Sequence, residues 1–284
     1  FNTVSAPELG AAAIRGALDQ AGIKPDTVDE VLMGCVLSAG LGQGPARQAS
    51  LGAGLPQSVP CTTMNKLCGS GMKTVMAAHD QIIAGSQTLM VAGGMESMSG
   101  TPYLSVKTRG GARLGHVEMK DHMFLDGLED AYDKGSLMGV FAELCAERYQ
   151  FTREAQDDYA LGSLSNALAA QEAGAFADEI TTVTVKTRKG EVVVSADEQP
   201  ATARPEKIPT LRPAFKKDGT VTPANASSIS DGAAAIVLTT DAEAAARELT
   251  IRARILGHAS HAQDPAWFTN APVPAAQKLM DKIG

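Results

Sequence analysis

A cysteine in a glycine-rich turn, at the start of an apolar pattern with helical spacing, constrains this chain more than any other feature. Cys68 is followed by Gly69, Ser70 and Gly71, and the helical pattern then runs to Ala84. At the start of a helix, unpaired backbone N–H groups and the helix dipole stabilise negative charge, which favours the thiolate form of a cysteine. The glycines leave room for a substrate beside the sulfur and for backbone amides to face a developing oxyanion. The turn is therefore a candidate site for a nucleophile.

The spacing alone leaves a second interpretation of Cys68 open. Free cysteines are commonly buried and inert, and a glycine turn is also a place where a small thiol packs. The helix that follows carries apolar residues at helical spacing, namely Met72, Val75, Met76, Ile82 and Ile83. This pattern predicts a largely buried helix with His79 on its apolar face.

Strand-like segments lie on both sides of this helix. Residues 28–38 contain an apolar run that predicts a buried strand, and residues 59–64 form an extended approach to the Cys68 turn. Residues 87–92 predict a strand that ends at the pair Gly93-Gly94. The alternation of strand, helix and strand predicts an α/β fold.

Further elements are expected along the chain from local signals. Residues 6–21 are amphipathic, with Ser5 as the N-cap and Gly22 at the end, and Thr152 is expected to cap another helix. The remaining expected elements are helices at 45–54, 137–149, 152–173, 241–248 and 274–283, a hairpin at 180–194, strands at 236–238 and 251–257, and a loop around Trp267 and Phe268.

Composition and charge exclude several classes of function. The chain has 284 residues, of which 44% are hydrophobic and 4% aromatic, and this suffices for a sizeable core in one or two domains. A net charge of −7 argues against nucleic acid or an anionic membrane surface as a partner. The four cysteines have neither zinc-site spacing nor a disulfide pattern, so we expect no metal and reduced thiols in the cytoplasm.

Three motifs, in this order along the chain, resemble the thiolase family. Residues 65–72 read NKLCGSGM, residues 91–99 read VAGGMESMS, and residues 225–235 read NASSISDGAAA. The CGSG form resembles the acetyl-CoA acetyltransferases of the family more than its long-chain 3-ketoacyl-CoA thiolases. Considered without the resemblance, the Asn, Ser and Asp residues of the third motif are typical of helix caps and turns.

The resemblance implies a thiolase-like layered αβαβα fold, here truncated, with an inserted loop domain. It predicts an N-terminal half-domain at residues 1–99 that lacks its first strand, and a loop domain at residues 100–228. The chain is then expected to return to the first half-domain at residues 229–250. Residues 251–284 are expected to start a C-terminal half-domain, whose first strand is the one predicted at 251–257.

The resemblance also implies the chemistry, which is transfer of an acyl group between coenzyme A thioesters. Cys68 corresponds to the catalytic cysteine that carries the acyl group. Ser227, Phe215 and Met138 match positions that contact CoA or line the acyl pocket. Leu137 stands where many bacterial thiolases have His, and a leucine side chain cannot donate a hydrogen bond to CoA. CoA is expected as substrate and product, and no permanently bound cofactor is expected.

The expected activity is condensation of two acetyl-CoA to acetoacetyl-CoA and CoA, or the reverse thiolysis, by a cytoplasmic homodimer or homotetramer. The activating His and the second Cys of the family have no counterpart in these 284 residues, so the chain alone is expected to be nearly inactive. Two alternatives stay open: a 3-ketoacyl-CoA thiolase of broader specificity, and a non-catalytic module for CoA binding or assembly. A papain-like hydrolase is disfavoured because no Cys-His-Asn arrangement is evident.

Overall fold

The computed structural model describes residues 1–284, which divide into two compact units. Unit 1 consists of Phe1–Gly127, Thr181–Ser195 and Ile229–Arg254. Unit 2 consists of Leu128–Ile180, Ala196–Ser228 and Ile255–Gly284. The domain boundaries expected from the sequence, at 99, 228 and 250, remain predictions.

Strands and helices alternate through the first part of the chain. The strands are β1 Glu30–Gly34, β2 Cys61–Met64, β3 Leu89–Ser97, β4 Tyr103–Leu104, β5 Lys120–Asp121, β6 Val183–Thr187, β7 Gly190–Val194 and β8 Asp231–Thr239. The α-helices are α1 Ala6–Ala21, α2 Pro45–Gly52, α3 Ser70–Ile83, α4 Met138–Tyr149, α5 Arg153–Glu172, α6 Glu198–Thr202, α7 Asp241–Ala246 and α8 Pro272–Ile283. None of the helices combines the length and the apolar character that crossing a bilayer requires.

Four strands form the main sheet of unit 1, in the spatial order β2, β1, β3, β8. β1 pairs in parallel with both β2 and β3, and β3 pairs with β8 in antiparallel register from Leu89 opposite Thr239 to Ser97 opposite Asp231. The predicted hairpin is confirmed as the antiparallel ribbon β6–β7. The predicted mixed α/β fold is therefore confirmed.

Helices cover both faces of this sheet because successive strand residues point in opposite directions. Val31 and Met33 of β1 face the cluster that contains Ile14 of α1 and Ala49 of α2. Leu32 faces the opposite way, into a second cluster with Ala78 and other apolar residues. Unit 1 is thus a three-layer arrangement in which α3 lies on the face opposite α1 and α2.

Helix α1 begins and ends where the local signals of the sequence predict. Its N-cap Ser5 accepts a hydrogen bond from the backbone N–H of Glu8, and the Glu8 carboxylate accepts one from the Ser5 N–H at 2.8 Å, which together form a capping box. Gly22 ends the helix in the left-handed conformation, with φ of 66°. These are short-range interactions, and for that reason sequence alone suffices to place them.

The prediction that the helix after Cys68 is largely buried is wrong. The face of α3 that packs on the sheet consists of Ser70, Thr74, Ala78 and Ile82. Of the larger apolar side chains in the pattern, Ile82 alone is buried, whereas Met72 is 68% exposed and Ile83 is 74% exposed. Small residues occupy the first part of the packed face because the start of the helix lies close to the strands beneath it.

Three predictions for other elements are also wrong. β3 does not end at the glycine pair but continues to Ser97, since β8 supplies hydrogen-bond partners along its full length. Residues 251–257 form no strand, because no neighbouring strand pairs with them. The segment around Trp267 and Phe268 is a 3-10 helix, Pro265–Asn270, rather than a loop.

Unit 2 contains the two long helices that the sequence predicts. Leu137 is the N-cap of α4, although its side chain makes no capping hydrogen bond, and Thr152 caps α5 by accepting from the N–H of Ala155. The 3-10 helix packs against α4 through the edge-to-face rings of Phe141 and Phe268, whose centroids lie 6.4 Å apart. Two of the four candidate CoA-binding residues, Leu137 and Met138, lie at the start of α4.

Candidate active site

Cys68 lies in a tight turn between β2 and α3, with its side chain exposed. Two neighbouring side chains fix this turn. The Ser70 hydroxyl accepts from the N–H of Lys66 at 2.8 Å and donates to the Leu67 carbonyl at 2.6 Å. The Asn65 side-chain oxygen accepts from the N–H of Leu67 at 3.0 Å. These hydrogen bonds fix the backbone of Leu67, the residue directly before Cys68.

Leu67 adopts a left-handed backbone conformation, with φ of 47°. This region is unfavourable for a leucine, and it persists only where surrounding interactions impose it. The hydrogen bonds from Asn65 and Ser70 are such interactions. Their combined effect is to hold Cys68 at the surface, directly before the N-cap residue Gly69.

Glycines bring the start of α3 close to the end of β1 and to the middle of β3. A Cβ on Gly34 would lie 2.6 Å from the Ser70 carbonyl carbon, and a Cβ on Gly94 would lie 3.2 Å from the Gly71 Cα. The Thr74 hydroxyl lies 2.8 Å from the Gly93 carbonyl oxygen and links helix to strand. Gly94 of the second motif therefore serves close packing beneath the Cys68 turn, while Gly93 contributes its carbonyl oxygen.

Glu96, also from the second motif, supports the loop after β1. Its carboxylate accepts from the N–H groups of Val36 and Leu37, both at 2.9 Å, and the Cys35 sulfur lies 3.7 Å from Oε1. Burial first, and then the negative charge of Glu96, raise the pKa of the Cys35 thiol from its ordinary 9.0 to about 12. Cys35 is therefore a neutral, packed thiol.

This raised pKa makes a prediction about alkaline stability. The folded protein holds the Cys35 proton more tightly than the unfolded chain does, so its contribution to stability is complete below pH 9 and is lost as pH rises towards about 12. We expect the difference in free energy of unfolding between the wild type and Cys35→Ala to shrink between pH 8 and pH 10.5 in urea titrations. A difference that stays constant over this range would contradict the assignment.

The four candidate CoA-binding residues lie in unit 2. Leu137 and Met138 begin α4, and the Phe215 ring packs on the next residue of the helix, since a Cβ on Gly139 would lie 2.3 Å from the ring carbons. The structure thus brings Leu137, Met138 and Phe215 together at one helix end. Ser227 is exposed in the loop that leads to β8. Cys68 belongs to unit 1.

Comparison with known proteins decides the family. The profile of the thiolase N-terminal domain matches residues 1–242. The chain belongs to the thiolase family. Its relatives include an acetyl-CoA acetyltransferase of Rhizobium meliloti, 50% identical over 285 residues, a match that spans 100% of this thiolase and 72% of the relative.

Solved structures agree with this assignment. The crystal structure of the Bacillus anthracis acetyl-CoA acetyltransferase superposes with a TM-score of 0.95 at 39% identity, covering 99% of this chain and 71% of the other. The Acat5 thiolase from Ascaris suum, solved in complex with coenzyme A, gives a TM-score of 0.91 at 38% identity, covering 99% and 72%.

The motifs contain Asn65, Ser70 and Glu96 but do not by themselves indicate how these residues support the thiolase site. Asn65 and Ser70 stand two and three residues from Leu67, a spacing typical of side chains that close turns, so a local signal existed for both. Glu96 had no such signal, because its donors lie about sixty residues earlier in the chain. The supporting role of Ser70 can be tested directly.

We expect Ser70→Ala to lower kcat/KM for thiolysis by roughly 10- to 100-fold, since small displacements of a nucleophile carry penalties of that order. The same substitution should slow alkylation of Cys68 by iodoacetamide. Ser163→Ala, at an exposed position of α5, is the matched control and should change neither rate. An unchanged alkylation rate in Ser70→Ala would show that the two hydrogen bonds do not position the sulfur.

Proposed function

We propose that this thiolase is an acetyl-CoA C-acetyltransferase that condenses two acetyl-CoA to acetoacetyl-CoA and CoA, and catalyses the reverse thiolysis. The observation that carries the proposal is the exposed Cys68, held in a fixed turn at the N-terminus of α3. The acetyl-CoA acetyltransferase relatives support the choice of substrate.

The proposed reaction has two half-reactions at the Cys68 sulfur. In the first, the thiolate attacks the carbonyl carbon of acetyl-CoA, the bond from that carbon to the CoA sulfur breaks, and CoA leaves with acetyl-Cys68 formed. In the second, the α-carbon of another acetyl-CoA, after losing a proton, attacks the acetyl group and releases the Cys68 thiolate. The product is acetoacetyl-CoA, and thiolysis reverses both steps.

The residues of this chain supply the nucleophile and its surroundings. The N–H groups of Gly69 and Ser70 donate to the Lys66 and Leu67 carbonyls at 3.1 and 2.9 Å, so the start of α3 acts on a developing negative charge through the positive end of its helix dipole. Glycines on both sides of Ser70 keep the approach to the sulfur free of side chains. The proton transfers of the second half-reaction are not assigned to any residue of this chain.

We assign the handling of CoA to Leu137, Met138, Phe215 and Ser227. Met138 and Phe215 offer apolar surface at the start of α4, and the exposed Ser227 hydroxyl offers a hydrogen bond to the pantetheine arm. Leu137 adds apolar surface and no hydrogen bond. The complex of a solved relative with coenzyme A supports CoA as substrate and product.

Mass spectrometry of the full-length protein tests the function. After rapid mixing with acetyl-CoA and acid quenching, we expect a single acetyl adduct on the peptide that contains Cys68. Treatment with CoA before quenching should remove the adduct. An adduct on Cys35, Cys61 or Cys145 instead, or none at all, would reject the mechanism.

Two finer points belong to the same proposal. Rates on acetoacetyl-CoA and on longer 3-ketoacyl-CoAs distinguish the acetyltransferase from a thiolase of broader specificity. A steep fall in rate with acyl-chain length is expected for the acetyltransferase.

We also propose a homodimer or homotetramer in the cytoplasm, a location that four free thiols favour. Sedimentation of the full-length protein measures the oligomeric state.

A further inference from the structure

Two buried carboxylates of unit 2 have no part in the acyl-transfer steps. Glu143 of α4 is 6% exposed and Asp157 of α5 is 5% exposed. Burying a carboxylate costs free energy unless hydrogen bonds or a cation compensate for the lost water. The partners of each one therefore indicate what it stabilises.

Glu143 fixes the turn at residues 219–221. Its Oε1 atom accepts from the N–H groups of Thr220 and Val221 at 2.9 and 2.8 Å, and its Oε2 atom accepts from the Thr220 hydroxyl at 3.1 Å. A Cβ on Gly219 would lie 2.1 Å from Oε1, so the backbone approaches the carboxylate more closely than a side chain permits. The Glu143 side chain thus fixes the backbone of the turn at residues 219–221 through three hydrogen bonds.

Asp157 fixes the next part of the same segment through Asn225. Its Oδ1 atom accepts from the Asn225 amide nitrogen at 3.1 Å, while its Oδ2 atom accepts from Arg153 Nε at 2.7 Å. Asn225 is fully engaged, since its amide nitrogen also donates to the Thr220 carbonyl and its oxygen accepts from the Thr222 N–H at 2.7 Å. Asn225 is two residues before Ser227.

The other end of the segment is tied to the same helix face. Gly139 and Glu143 are one turn apart on α4, so they share a face. The Phe215 ring covers Gly139, and the N–H of Ala214 donates to the Val221 carbonyl at 2.9 Å. Glu143 and Asp157 therefore brace residues 214–227 as a unit, with Phe215 near one end and Ser227 at the other.

We propose that Glu143 and Asp157 are positioning residues for coenzyme A, which hold Phe215 and Ser227 in their binding arrangement. This inference rests on the proposed function, because it takes Phe215 and Ser227 as CoA contacts. Neither carboxylate touches the reacting atoms. Their loss should weaken CoA binding and leave the chemistry at Cys68 intact.

The test is thiolysis of acetoacetyl-CoA by the full-length protein carrying Glu143→Gln or Asp157→Asn. We expect KM for CoA to rise roughly 10-fold with kcat within about threefold, the pattern of lost binding without lost transition-state stabilisation. Alkylation of Cys68 should keep its wild-type rate. Glu147→Gln is the matched control, since Glu147 lies one turn further along α4 in an exposed pair with Lys216 and should change none of these values.

Exchanging the two side chains provides a rescue. Asn225→Asp places a second carboxylate against Asp157 and should raise KM further than Asp157→Asn does, because like charges repel. The double variant Asp157→Asn with Asn225→Asp restores a donor opposite an acceptor, and its KM should fall below that of Asn225→Asp. Amide hydrogen exchange in the single variants should increase at residues 219–227 and not in α4.

Several outcomes would overturn this assignment. Unchanged KM in Glu143→Gln and Asp157→Asn, a fall in kcat alone, or a double variant no better than Asn225→Asp would each do so. Global unfolding of Glu143→Gln, measured by circular dichroism, would also overturn the assignment, because the carboxylate would then stabilise the whole fold rather than position the CoA contacts. If the unaltered protein neither turns over acetoacetyl-CoA nor forms acetyl-Cys68, the proposed function fails, and this inference fails with it.

Discussion

Cys68→Ala is expected to lower the rate of acetoacetyl-CoA thiolysis by roughly 10⁴-fold or more, the loss typical of removing a covalent nucleophile. No other side chain replaces the sulfur, because the residues that surround it, Leu67, Gly69 and the bonded Ser70, carry no free nucleophile. Cys68→Ser should be almost as poor, since a serine hydroxyl at this position has no base shown to activate it. Steady-state assays on the full-length protein measure both rates.

The controls for this prediction are the other cysteines. Cys61→Ala and Cys145→Ala alter free thiols outside the turn and should each retain activity within a few-fold. CoA affinity of Cys68→Ala should stay close to wild type in calorimetry, since no proposed CoA contact is removed. Substantial thiolysis by Cys68→Ala would contradict the acyl-cysteine mechanism.

Gly93→Ala is expected to have the largest effect on stability. A Cβ at this position would lie 2.1 Å from the Ala234 carbonyl oxygen and 2.9 Å from the Ala235 Cα, and both are backbone atoms of β8. The strand cannot withdraw without breaking the ladder in which Gly93 lies opposite Ala235. We expect a loss of about 3 kcal/mol or more in the free energy of unfolding, at the upper end of overpacking effects.

Gly162→Ala is the matched control for Gly93→Ala. Gly162 lies at an exposed position within α5, and no atom lies within 4 Å of the position that its Cβ would take. Alanine there should raise stability by about 0.5–1 kcal/mol, because it reduces the freedom of the unfolded chain. Urea unfolding of both variants measures the difference, and equal effects would show that contact with β8 is not the cause.

Sequence alone predicts those elements whose signals are local. The capping box of Ser5 and Glu8 and the left-handed Gly22 are sufficient to place α1. The failures concern pairing: residues 251–257 have a strand-like pattern without a partner strand, and β3 extends to Ser97 because β8 supplies its partners. A strand's length depends on a neighbour that periodicity does not identify.

In the candidate site, too, local features can be predicted from the sequence and long-range contacts cannot. Cys68 can be predicted as a nucleophile from its glycine turn and from the thiolase motifs. The hydrogen bonds of Glu143 and Asp157 cannot, since they join residues 77 and 68 positions apart, respectively. The face that α3 presents to the sheet also differs from the predicted one, because the small residues Ser70, Thr74 and Ala78 pack there with Ile82, while Met72 and Ile83 are exposed.

The pairing of β3 with β8 affects how the protein folds during synthesis. β1, β2 and β3 emerge from the ribosome early. β8 is synthesised much later, and its Thr239 is the residue that pairs with Leu89. Until then one edge of β3 presents unpaired N–H and C=O groups, which favour aggregation with other nascent chains. Contacts between such distant positions also slow folding. Chaperone dependence is therefore expected to be greatest while β4 to β7 are being translated.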